Sequence, residues 1–187
     1  LAAKDGGRYA VPALAIFAAS MILLYGASTT YHTFNISEKV NKVLRKIDHM
    51  MIFILIAGSY TPICVIPLRD TVGIPLLILV WAVAIAGMLI KAFWITCPKW
   101  FSSTIYIAMG WLCVLAMVPL VQTLPTAAFI WLVAGGVIYT IGGVIYALKL
   151  PLFNAKHQYF GSHEIFHVFV MAGSLCHYVT MFYIAKM

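Results

Sequence analysis

Residues 45–68 read RKIDHMMIFILIAGSYTPICVIPL, two basic side chains, a carboxylate and an imidazole followed by nineteen residues without a charge. A helix needs about 20 mainly apolar residues to cross the hydrocarbon of a bilayer. A surface helix of a soluble domain would carry charged residues on one face, and this run carries none. The rest of the chain agrees: of 187 residues 64% are hydrophobic and only 9% charged. Soluble domains carry roughly 25% charged residues, so composition excludes a soluble globule, a disordered chain and a disulfide-stapled module. An all-α polytopic membrane protein remains.

Working outward from that stretch, six segments are long and apolar enough to span, at about 10–34, 47–68, 71–95, 102–124, 127–148 and 162–185. Connections are short except for the polar, basic SEKVNKVLRK at 37–46 and the link before the last span, which predicts one transmembrane helical-bundle domain over 1–187. The fifth span repeats Gly-Gly-Val-Ile-Tyr at 135–139 and 142–146. Glycines on one stripe let a neighbouring helix approach closely. Pro62, Pro67, Pro75 and Pro119 predict local bends. Cys64, Cys97, Cys113 and Cys176 have no C-x-x-C spacing and read as small buried hydrophobes.

The formal net charge is +7, but the basic residues lie scattered between spans instead of forming a stripe, which argues against nucleic acid. Lys39, Lys42, Arg45, Lys46, Lys91, Lys99, Lys149 and Lys156 fall on one side, and Lys4, Arg8, Arg69 and Lys186 on the other. Since Lys and Arg concentrate in cytoplasmic loops, the first side is expected to be cytoplasmic and the C-terminus outside. A first span entering from outside implies a further helix upstream.

Ionisable side chains at membrane depth are expensive and mark candidate sites. The chain has five acidic residues, Asp5, Glu38, Asp48, Asp70 and Glu164, of which only Asp48 and Glu164 sit beside histidines at span boundaries. Ser28 and His32 are four residues apart near the end of the first span; His163 and His167 are four apart at the start of the last. Positions i and i+4 share a helix face. The alternation of spans brings these pairs and Asp48 to one depth, near the cytoplasmic face. Neutral imidazoles suit zinc, and catalytic zinc sites use three protein ligands plus water. His32, His163 and His167 are therefore expected as zinc ligands. Asp48 would bond the water or serve as a fourth ligand, and Ser28 would orient a ligand or donate to a developing oxyanion.

The other histidines read differently. His49 points about 100° from Asp48 on a helix and is expected at the interface. His157 is expected in a solvent-facing loop, and His177, about 15 Å beyond His167, is expected to line a cavity. His-Glu-Ile-Phe-His at 163–167 also fits the H-E-x-x-H metalloprotease pattern, but Glu164 lies off the face that the histidines share.

Ser28-x-x-x-His32, the stretch RKIDHMMIFILIAGSYTP at 45–62 and HEIFHVFVMAGSLCH at 163–177, in that order, resemble the hemolysin III family. Those are bacterial relatives of the progestin and adipoQ receptors, in a superfamily with the alkaline ceramidases. The resemblance covers essentially the whole chain. It implies a seven-helix bundle with a cytoplasmic N-terminus, here without its first helix, and zinc near the cytoplasmic face held by His32, His163 and His167, with Asp48 and Ser28 close by.

An open zinc position favours hydrolysis. The expectation is a multi-pass protein of the cell membrane that hydrolyses a lipid amide or ester at the cytoplasmic leaflet, with a membrane lipid as its substrate or ligand. Two alternatives stay open: a membrane-state sensor or receptor with structural zinc, and a membrane-permeabilising protein.

Overall fold

The computed structural model describes residues 7–148 and 161–187. Lys4, Asp5, Lys149, Lys156 and His157 fall outside them, and so do the readings made for those residues. Among the described residues every regular element is helical: α1 (Gly7–Thr33), α2 (Glu38–Val65), α3 (Gly73–Phe93), α4 (Lys99–Gly110), a 3-10 stretch (Trp111–Ala116), α5 (Met117–Thr123), α6 (Thr126–Leu148) and α7 (Ser162–Ile184). Among the described residues six helices are long and apolar enough to span, with α4, the 3-10 stretch and α5 together making one of them.

The helices turn apolar side chains outward, as a lipid solvent permits. Ile22, Ile78, Leu115 and Val118 are all more than 60% exposed. Inside the bundle, α2 is the most enclosed helix, buried throughout 57–64. It packs against α1 on one side and α3 on the other, while α6 lies along α7 and against α4. The repeated glycines explain the α6–α7 contact. A Cβ at Gly135 would stand 2.8 Å from the His177 ring, and one at Gly142 would stand 2.6 Å from Phe169 Cβ. Such distances forbid any side chain there, so both glycines let the helix axes close in.

Two expectations change. Residues 38–46 are helical and form the first turns of α2, because Ser37 Oγ accepts from Val40 N at 3.3 Å and Glu38 sits in the first turn. A serine N-cap with an acidic first turn starts a helix even where composition is polar. The resulting 28-residue helix carries its basic first turns beyond the apolar run. The fourth span is not one continuous α-helix, since the Pro119 ring would clash with an α-helical carbonyl at Leu115 and the turns before it tighten to 3-10. Tyr60 on α2 caps the break: its hydroxyl donates to the carbonyls of Gly110 (2.6 Å) and Met109 (3.2 Å) and accepts from Cys113 N (2.8 Å). A broken span is tolerated where other groups take up the freed backbone.

The end of α1, the start of α2, the end of α3, the start of α4, the end of α6 and the start of α7 meet at one end of the bundle. Lys46 Nζ donates to the Ala92 carbonyl, joining α2 to α3. Lys91 Nζ donates to Ser102 Oγ and to Cys97 Sγ, joining α3 to α4. Lys99 Nζ stands 4.3 Å over the Tyr146 ring, joining α4 to α6. Exposed Trp94 and Trp100 flank the α3–α4 turn, where interfacial aromatics belong.

Candidate metal centre

At that end α1 delivers His32 to the two histidines of α7. His163 Nε2 lies 3.3 Å from His32 Nε2 and 3.2 Å from His167 Nε2. One ligand atom from each ring falls within 4.8 Å of the others. His163 and His167 reach the same point because four residues return to one helix face. His32 gets there because α1 ends at Thr33, just past the depth at which α7 begins.

Hydrogen bonding cannot satisfy this arrangement. A ring nitrogen carries either one proton or one lone pair. His163 Nε2 faces two nitrogens and can serve only one of them. A cation would use all three lone pairs at once. Tetrahedral zinc with Zn–N of about 2.0–2.1 Å sets its ligand nitrogens about 3.3 Å apart, close to the two separations found here. The donor set therefore fits zinc in number, type and spacing.

The remaining candidates divide. Asp48 is buried on α2 and is not among the clustered ligand atoms. Its Oδ2 lies 3.4 Å from His49 Nδ1. Ser28, one turn before His32, lines the same cavity as Asp48, His163 and His167. Glu164 is exposed and turned away, with Oε2 accepting from Gly161 N at 2.8 Å. It caps the start of α7, which removes it from the place a protease base would occupy.

His49 is misplaced by its helical angle. The structure puts it on the cavity wall instead of the interface, with Nδ1 2.9 Å from the Arg45 carbonyl and beside Asp48 Oδ2. A proton on Nδ1 would serve both acceptors. The cavity is wide enough that two adjacent residues of one helix both border it. Tyr146 joins the site as well: its ring centroid lies 6.0 Å from that of His163 and 4.8 Å from that of Phe166. The signal for it was the second copy of Gly-Gly-Val-Ile-Tyr, whose glycines bring α6 against α7.

Behind the histidines runs a cavity of about 180 Å³. One water needs only about 10–15 Å³ by this measure. The cavity extends from His163 and His167 past Ile56 and Phe129 to Leu68 and Leu76, at the far end of the bundle. Its walls are mainly apolar, and His177 lines it as expected.

Residues 2–178 match the family model described as haemolysin-III related. The chain is 37% identical over 186 residues to the Hemolysin-3 homolog of Bacillus subtilis (strain 168), covering 99% of this chain and 83% of that one. It is 37% identical over 184 residues to Hemolysin-3 of Bacillus cereus, covering 98% and 80%. It is also 27% identical over 176 residues to the Adiponectin receptor protein of Drosophila melanogaster, covering 84% of this chain and 39% of that receptor.

Proposed function

The chain belongs to the haemolysin III family of multi-pass membrane proteins, and from that premise we propose that it is a zinc-dependent hydrolase of a lipid amide or ester. The carrying observation is the meeting of three imidazole nitrogens at the mouth of a long apolar cavity. His32, His163 and His167 would hold the ion. Bound zinc supplies Lewis acidity, polarising a carbonyl and making water a stronger acid.

This chain's own residues would do the rest. Asp48, outside the clustered ligands yet on the cavity wall, accepts a proton from the attacking water and returns it to the leaving amine or alcohol. His49 Nδ1 holds the carboxylate at Oδ2. Ser28 donates to the oxygen that gains charge. The apolar walls take the acyl chain and keep bulk water from the reacting carbonyl. The cytoplasmic assignment rests on charge: Lys39, Lys42, Arg45, Lys46, Lys91 and Lys99 belong to this end, and Arg8, Arg69 and Lys186 to the other.

The test is turnover. Purified, zinc-loaded protein should release fatty acid from lipid amides or esters of the native membrane, and His32→Ala should not. Absence of turnover on every such lipid, with zinc bound, overturns the proposal.

A second reading follows from the name of the Bacillus cereus relative, Hemolysin-3. Liposome leakage that persists in His32→Ala and His167→Ala would favour membrane permeabilisation over hydrolysis.

A further inference from the structure

The cavity wall changes character partway along. Tyr25 on α1, Tyr139 on α6 and His177 on α7 all line it, while its surroundings at this depth, such as Leu24, Val133 and Leu132, are apolar. Ser174 joins the two tyrosines: Tyr25 OH donates to Ser174 Oγ at 2.7 Å, and Ser174 Oγ and Tyr139 OH lie 2.8 Å apart. His177 stacks on Tyr139 with ring centroids 5.3 Å apart. Its Nδ1 is enclosed with no hydrogen-bond partner among the described residues.

Proton counting shows a surplus. Three hydroxyls and one neutral imidazole bring four donor hydrogens. The two contacts among them use two. Apolar lipid chains offer nothing to the remainder, and a buried polar group left unpaired destabilises the fold. The position is also built with care. A Cβ at Gly173 would stand 2.9 Å from the Tyr139 ring, and one at Gly135 would stand 2.8 Å from the His177 ring. Both rings are therefore seated where only glycine leaves room for them.

We propose that Tyr25, Tyr139 and His177 form a subsite for an oxygen function, a hydroxyl or a keto group, carried partway along the acyl chain of the bound lipid. The inference rests on the acyl-chain reading of the cavity given above. Its position follows from α7. His177 is ten residues beyond His167, about 15 Å at 1.5 Å per residue. An extended chain advances about 1.2 Å per bond, the span per residue divided over three backbone bonds. The oxygen then falls about twelve bonds from the carbonyl held at the histidines.

The experiment is competitive binding, read by native mass spectrometry of the purified full chain in detergent. The probes are a saturated fatty acid, the same acid hydroxylated about twelve bonds from its carboxyl carbon, and an isomer hydroxylated about half as far along. Wild-type protein should prefer the distal hydroxy acid over its parent by about tenfold, the gain of one well-made hydrogen bond. It should not prefer the proximal isomer. Tyr139→Phe and Tyr25→Phe should each lose the preference while still binding the parent acid, and keep the wild-type melting temperature to within a few degrees. His177→Leu should do the same. Equal binding of distal acid and parent by wild-type protein overturns the subsite and leaves the acyl-chain cavity standing. Binding of none of the three overturns both.

Discussion

Two polar clusters lie at the same end of the bundle, and they are built oppositely. Lys91, 3% exposed, donates to Ser102 Oγ and Cys97 Sγ, and those two atoms lie 3.2 Å from each other. A donor there faces acceptors of other kinds. The histidine cluster instead points three nitrogens of one kind at a common centre, where at most a pair can share a proton. The lysine cluster ties α3 to α4 and lies off the cavity wall; the histidine cluster opens onto it. A buried polar set that closes on itself is explained by folding. One with surplus donors of a single type implies something added.

Substitutions can break that contrast. The largest effect is expected from His163→Ala or His167→Ala. Each should weaken zinc binding by about 3–4 kcal/mol, one ligand's share of the ~10–16 kcal/mol seen for structural zinc sites, and abolish hydrolysis. Zinc titration against a competing chelator measures it; unchanged affinity would dissolve the distinction between the clusters. Asp48→Asn should lower turnover about 10²–10⁴-fold, the usual contribution of general acid–base catalysis, with zinc content intact. Loss of zinc in that variant would make Asp48 a ligand instead.

Tyr60→Phe tests a third polar group, one wholly used in folding. It strips partners from Met109 O, Gly110 O and Cys113 N at the break in the fourth span. Stability should fall by about 1–3 kcal/mol, seen as a lower melting temperature, with zinc affinity unchanged. Lys91→Met should do least. It removes the buried ammonium but leaves Ser102 and Cys97 bonded to each other, and apolar replacement of a buried charge is often close to neutral. A melting temperature within a few degrees of wild type and full zinc content are expected. A large loss of zinc there would show that the two clusters are coupled.

Most of the architecture was legible in the sequence because lipid imposes long uninterrupted apolar runs, and the spans at 71–95 and 127–148 needed nothing else. The helical start of α2 was not, since its Ser37 cap lies in a polar stretch that composition assigns to a loop. Pro119 announced a bend, but the 3-10 stretch before it depends on Tyr60, fifty residues away. In the site, charge and i, i+4 spacing picked out His32, His163, His167 and Asp48. Tyr25, Tyr139 and Ser174 are not legible there, because hydroxyls carry no charge at membrane depth and meet only through the packing of three helices.

His32, His163 and His167 are expected to hold one zinc ion at the cavity mouth. X-ray absorption at the zinc edge, on protein purified under zinc-replete conditions, tests it most directly. One zinc per chain is expected, with three imidazole nitrogens at about 2.0–2.1 Å and an oxygen completing the shell. Protein that binds no stoichiometric zinc, or zinc whose imidazole signal survives unchanged in His32→Ala and His167→Ala, would contradict it.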